Sequence, residues 1–283
     1  MIVLTRKDLL THEVVVPWSE PYQIEQDLLL CLAMRAIFED RFLSGQVAMR
    51  GGTVLHKVHL APAARYSEDI DLVAVGDRPE GHIRKALLRV LRPVLGRERS
   101  SVWDSVQLAV RNAAKPSRIL RCIYKLPSVA QPGRELTIEV EANVTERIPH
   151  FPVQRLPFTV EFRGAKLGTD LVSYNINEML ATKMRALFQR KKGRDLFDLY
   201  WALSAQSAVP VSVAEILQAF DHYMQAEGEL VARERFVAHL RQCLADRAGF
   251  CTDIDSFLRR DLTYDPDVAG AFIEQHLLGL LPE

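Results

Sequence analysis

The chain has 283 residues, of which 48 % are hydrophobic and 25 % charged, a globular balance that excludes a disordered or fibrous protein. Thirty-six Lys and Arg residues offset thirty-six Asp and Glu, so any nucleic-acid binding has to come from a local basic patch rather than a global field. The longest apolar run, Leu28–Met34, is far too short to cross a bilayer, and the N-terminal Ile2-Val3-Leu4 followed by charge does not read as a secretory signal. Cys31, Cys122, Cys243 and Cys251 lack CxxC spacing, so the expectation is a cytoplasmic protein with no disulfide frame and no membrane partner.

In chain order, Ile24–Phe38 has helical apolar spacing, and Gln46–Arg50 reads as a short strand running into Gly51-Gly52-Thr53. Val54, Leu55 and Val58 then suit the start of a helix. Asp69–Val75 alternates acidic and apolar residues as a strand does. Gly81–Leu95 is an amphipathic helix with Arg84, Lys85, Arg89 and Arg92 on its outer face. Strands are expected at Val106–Val110, Ile119–Leu126 and Leu136–Val144, the last two joined as a hairpin through Gln131-Pro132-Gly133. The proline-studded Pro149–Pro157 reads as a connection, followed by a strand at Phe158–Phe162. Helices are then expected at Asn177–Arg190, Arg194–Ser204, Val213–Ala226, Leu230–Ala245 and Asp267–Leu280. The class is therefore α+β: a mixed sheet with helices over residues 1–168, then an all-helical part over 169–283.

Four constellations could carry chemistry. Gly51-Gly52-Thr53 sits between strand and helix, where two glycines let a phosphate approach the backbone and Thr53 offers a hydroxyl; an ordinary tight turn with Thr53 as N-cap has the same pattern. In Ser67-Glu68-Asp69-Ile70-Asp71-Leu72, residues two apart on a strand share a face, so Asp69 and Asp71 place two carboxylates side by side. Such a pair suits a hard divalent cation, although a solvated edge strand would look alike. Glu139 and Glu141 repeat the spacing, and either could complete a metal site or act as general base. Finally, Lys183 and Arg190 share a helix face ahead of Lys191-Lys192-Gly193-Arg194-Asp195 and Asp198, either a cationic surface for phosphates or a helix with ordinary ion pairs.

The order of these pieces resembles the AbiEii family of nucleotidyltransferase toxins of type IV toxin–antitoxin systems, which includes the mycobacterial MenT group. The resemblance runs from roughly Gln46 to Leu203 and implies a nucleotidyltransferase-like sheet. It implies that Gly51, Gly52 and Thr53 contact nucleotide phosphates, that Ser67, Asp69 and Asp71 form the S-x-D-x-D motif with the aspartates as metal ligands, and that Lys183 holds the triphosphate. Arg190, Arg194, Asp195 and Asp198 match the family's arginine and RD-x-x-D region, with Lys191-Lys192-Gly193 intervening. Glu139 is the expected third carboxylate, with Glu141 an equally reachable neighbour. Thr53 stands where serine is commoner.

The expected activity is transfer of NMP from an NTP, with Mg²⁺ or Mn²⁺, to the 3′ end of tRNA, blocking translation. Arg84, Lys85, Arg89 and Arg190–Arg194 are candidates for the RNA backbone. The implied partner is an AbiEi-like helix-turn-helix antitoxin. The rivals are a catalytically silent RNA- or antitoxin-binding module, transfer to a protein hydroxyl, and a sugar-nucleotide transferase that shares only the DxD pair.

Overall fold

In the computed structural model, which describes residues 1–16, 18–106, 117–204 and 209–283, the chain divides into two units. One comprises Met1–Val106 and Ser117–Tyr174, the other Asn175–Glu283. The boundary expected at 168/169 falls inside a strand that ends at Ser173.

The first unit opens with α1 (Arg6–Glu13), closed by a reciprocal capping box between Thr5 and Asp8. Pro21 at its first turn starts α2 (Pro21–Glu39), which is apolar on almost every side and is buried accordingly. The chain then forms β1 (Val47–Arg50), the single turn α3 (Gly51–Val54) running on into Leu55–His59, β2 (Asp69–Ala74) and α4 (Glu80–Leu95). Strands β3 (Glu98–Val106), β4 (Ser117–Pro127), β5 (Glu135–Asn143), β6 (Gln154–Phe162) and β7 (Ala165–Ser173) complete the unit.

The strands form one mixed sheet in the order β3-β4-β5-β2-β1-β7-β6. Neighbours are antiparallel except β2 with β5 and β1 with β7. Helix α2 packs on β2, β5, β6 and β7 and on α4. Ile70, Leu72, Ile138, Val140 and Ala142 alternate into the core, which turns the acidic positions of β2 and β5 to the opposite side of the sheet. Two side chains of α2 hold this arrangement from below. Gln26 donates its amide to the carbonyls of Glu68 (3.2 Å) and Thr137 (2.9 Å), tying the starts of the two parallel strands together. Glu25 accepts from Ser128 Oγ (2.6 Å) and from the Val129 and Ala130 amides (2.8 and 3.0 Å), clasping the turn between β4 and β5.

Three elements of this unit are not signalled by apolar periodicity. Helix α1 is mostly polar, and β3 begins with Glu98-Arg99-Ser100-Ser101, an edge strand made by its ladder with β4. The expected strand Val106–Val110 lies outside the described residues beyond Val106. Strand β7 carries Lys166, Gly168, Thr169 and Asp170; it forms because Arg163 and Gly164, both at positive φ (52° and 80°), make a two-residue turn that folds it back on β6. Strand β6 starts at Gln154, so the expected connection Pro149–Pro157 ends inside it. Pro157 is tolerated because β6 is the sheet's edge.

The second unit contains α5 (Ile176–Gln189), α6 (Gly193–Leu203), α7 (Val213–Ala226), α8 (Arg233–Ala245) and α9 (Pro266–His276). Asn175, Ser212 and Asp265 cap α5, α7 and α9. Helix α5 packs on α6, α7 and α8, and α9 on α6 and α8. Helix α8 begins three residues later than expected, and α9 ends at His276, with Leu278–Leu280 forming a separate tight turn. Among the described residues, no helix is long and apolar enough to cross a membrane.

Candidate active site

The register of β2 against β5 places Asp69 opposite Glu139 and Asp71 opposite Glu141. Four carboxylates thus stand on the same face of two adjacent parallel strands, about 4.8 Å apart as sheet neighbours are. Burial pushes the Asp69 carboxyl up to about 7, and repulsion from Asp71, Glu68, Glu139 and Glu141 adds to it. Burial likewise raises Glu141 to about 7; Asp71 contributes in the same direction and Arg121 opposes it. Arg121 on β4 pairs with both glutamates, at 2.6 Å from Glu139 and 2.7 Å from Glu141.

The turn after β1 is built around these acids. Gly51 adopts φ +84°, and a Cβ there would lie 2.0 Å from Asp71 Oδ2. A Cβ on Gly52 would lie 2.6 Å from Arg65 Nη2 and 2.9 Å from Ser67 Oγ. Both glycines are therefore demanded by close approach of the S-x-D-x-D segment. Thr53 is fully buried and donates its hydroxyl to the Asp69 carbonyl, so the hydroxyl expected at a phosphate instead braces the turn against β2. The added methyl of threonine fits that buried setting.

The donor set suits a hard divalent cation: all oxygens, buried enough to raise Asp69, and with Glu139 Oε1 buried yet accepting no hydrogen bond. Asp69, Asp71 and Glu139 or Glu141 are the residues that could hold it. Among the described residues, the group whose potential ligand atoms all lie within 4.8 Å of one another is a different one, His12, Asp27 and Cys31. That cluster already contains its cation. Asp27 accepts from His12 Nε2 (2.7 Å) and Trp18 Nε1 (2.9 Å) and is ion-paired with the buried Lys57. Burial would raise the Asp27 carboxyl, but Lys57 and His12 outweigh it and hold it well below the usual range. Burial pushes the Cys31 thiol up to about 12, so it is a neutral neighbour and not a thiolate ligand.

The remaining expected residues belong to the second unit. Lys183 on α5 is buried, 2.8 Å from Asp198 Oδ2 and 3.3 Å from Asp195 Oδ1 of α6. Arg190 reaches the same Asp195 with two nitrogens, at 2.7 and 2.9 Å. Burial would raise Asp195, yet Lys183 and Arg190 hold it below the ordinary carboxylate range. Asp195 and Asp198 are themselves fully buried, so their geometry is that of residues orienting Lys183 and Arg190. Arg194 is separate: its amide donates to Asp253 (3.2 Å) and its guanidinium lies over Phe257. Gly193, in the insertion between the arginines, opens α6 where a Cβ would be 2.1 Å from the Phe250 carbonyl. Glu178 is buried and accepts from the Tyr223 hydroxyl (2.6 Å), a packing role.

Of the basic residues on α4, Arg84 donates to Ser101 Oγ (2.7 Å) and Arg89 pairs with Asp40 (2.7 Å); Lys85, Arg89 and Arg92 are exposed. Arg65 and Arg121 were not singled out from sequence as site residues. Arg65 stands two residues before Ser67 and so could be read together with the S-x-D-x-D motif; Arg121 lies on a strand whose sequence carries no signal of what it faces.

The family described as nucleotidyl transferase AbiEii toxin, type IV TA system, matches residues 32–272, a span that includes both groups of residues. No curated protein matches the chain. Among solved structures, the nucleotidyltransferase toxin MenT4 from Mycobacterium tuberculosis has a similar fold, with a TM-score of 0.50 and 15 % identity over 99 % of this chain and 100 % of that one.

Proposed function

The chain belongs to the AbiEii family of nucleotidyltransferase toxins, and from that premise we propose that it transfers NMP from an NTP to the 3′ end of tRNA with Mg²⁺, and so blocks translation. The observation that carries the reading is the pairing of Asp69 with Glu139 and of Asp71 with Glu141 on adjacent strands, beside a turn with no side chain at Gly51 or Gly52.

In this reading Asp69, Asp71 and Glu139 would hold Mg²⁺, or Mn²⁺ in its place, and the ion would supply positive charge for the α-phosphate and the leaving pyrophosphate. The family pattern gives Gly51 and Gly52 to the nucleotide phosphates, with Ser67 offering a hydroxyl beside them. Thr53 acts indirectly, by fixing the turn to the Asp69 carbonyl. The family pattern gives Lys183, Arg190 and Arg194 to phosphate binding, with Asp195 and Asp198 setting the position of the first two. Lys85 and Arg89, both exposed on the α4 basic face, are candidates for the RNA backbone. Membership of a toxin–antitoxin family implies an antitoxin partner; an AbiEi-like helix-turn-helix protein is the form proposed here, acting in the cytoplasm.

The test mixes purified protein and Mg²⁺ with each α-labelled NTP in turn and total bacterial tRNA, and follows the label on a denaturing gel. Label on tRNA from wild type but not from Asp69→Ala is the expected result. Label on the protein instead would move the acceptor to a protein hydroxyl. Growth arrest without any labelling would favour a silent binding module.

A further inference from the structure

Two glutamates compete for the place of third metal ligand, and Arg121 treats them differently. Arg121 is the direct ladder partner of Glu141 across β4 and β5. Its Nε donates to Glu141 Oε1 at 2.7 Å, and its Nη2 lies 2.7 Å from the same oxygen. The Nε–H of the guanidinium is thus given to Glu141. Glu139 Oε1 lies 2.6 Å from Arg121 Nε, but that nitrogen's single hydrogen is directed to Glu141, and Glu139 Oε1 is buried without a hydrogen bond. Glu139 Oε1 therefore takes charge but no hydrogen bond from Arg121 and can turn to a new cation without leaving that donor unpaired. Withdrawing Glu141 would break that charge-assisted hydrogen bond, whereas withdrawing Glu139 breaks none from Arg121. Register agrees, since Glu139 is the direct ladder partner of Asp69.

We infer that Arg121 is a positioning residue that keeps Glu141 out of the metal site, leaving Glu139 as the third ligand beside Asp69 and Asp71. The inference rests on the metal-site reading above. It also makes Arg121 a resident competitor: its charge offsets part of the acidic charge that a cation would meet, so removing it strengthens cation binding.

The test is Mn²⁺ binding by the full chain, read from the electron paramagnetic resonance of free Mn²⁺, without nucleotide. Glu139→Gln is expected to weaken binding about tenfold or more, and Glu141→Gln less than about threefold, in line with direct and outer contacts of a metal site. Arg121→Met is expected to tighten binding, and in that background Glu141→Gln acquires an effect. Equal losses from Glu139→Gln and Glu141→Gln, or weaker binding in a folded Arg121→Met, would overturn the inference. If Arg121→Met does not fold, the two glutamine variants decide alone. Asp69→Asn separates the two levels: if it leaves Mn²⁺ binding intact, the metal-site reading itself falls, whereas its loss with equal glutamine variants removes only the role of Arg121.

Discussion

Asp69→Asn should abolish nucleotidyl transfer and yet stabilise the metal-free protein. In the folded chain the Asp69 carboxyl titrates at about 7, against an ordinary 3.8, because it is buried beside Asp71, Glu68, Glu139 and Glu141. Between about pH 4 and 7 the folded state therefore holds a proton that the unfolded state has released, so stability falls as the pH rises through this window. Relative to an asparagine that never ionises, linkage gives a cost of about 0.5 kcal/mol at pH 4, growing to on the order of 4 kcal/mol by pH 8 and then levelling off. Urea denaturation of wild type and Asp69→Asn with a chelator present, at several pH values, measures the gap. Saturating Mn²⁺ should then close or reverse it, because only the wild type gains from cation binding. A variant that is less stable than wild type at pH 8, or a gap that does not change with pH, would refute the electrostatic account of this site.

Other perturbations test other parts of the structure. Gly51→Ala puts a Cβ 2.0 Å from Asp71 Oδ2 at a positive φ, so it should cost roughly 1–3 kcal/mol and weaken Mn²⁺ binding, whereas Gly45→Ala, with nothing within 4 Å of the new Cβ, is the neutral control. Lys183→Met leaves Asp195 and Asp198 buried without their shared ammonium and should destabilise by about 3–5 kcal/mol; adding Asp195→Asn and Asp198→Asn should restore stability but not transfer. A Lys183→Met protein that melts like wild type would show that the ion pairs contribute nothing. Asp27→Asn strands the buried Lys57 and should cost a similar roughly 3–5 kcal/mol in urea denaturation, with Mn²⁺ binding unchanged in whatever fraction remains folded. Any loss of bound Mn²⁺ per folded molecule in that variant would bring the His12, Asp27 and Cys31 cluster back as a metal site.

Much of the architecture is legible in the residues themselves. Period-two alternation marks β2 and β5, helical spacing marks α2 and α4 to α7, and the chemistry-bearing residues stand in an order that matches one family. These are local properties, set by which side of a strand or helix each residue occupies. Helix α1, β3 and β7 escaped because their sequences are polar and they form through a cap, a ladder and a two-residue turn.

The site divides along the same line. That Asp69 and Asp71 share a face follows from their spacing, and so does the shared face of Glu139 and Glu141. Which acid meets which, however, depends on the register of two strands brought together from distant parts of the chain, and that register is held by the Gln26 amide. The same holds for Thr53, whose hydroxyl goes to a carbonyl, and for Lys183, whose charge is met by two buried aspartates. It holds most clearly for Arg121, one arginine among many until β4 lies beside β5. Spacing along a chain establishes what a side chain can reach on its own element; the partner that neutralises it comes from another element, and only packing brings the two within a few ångströms.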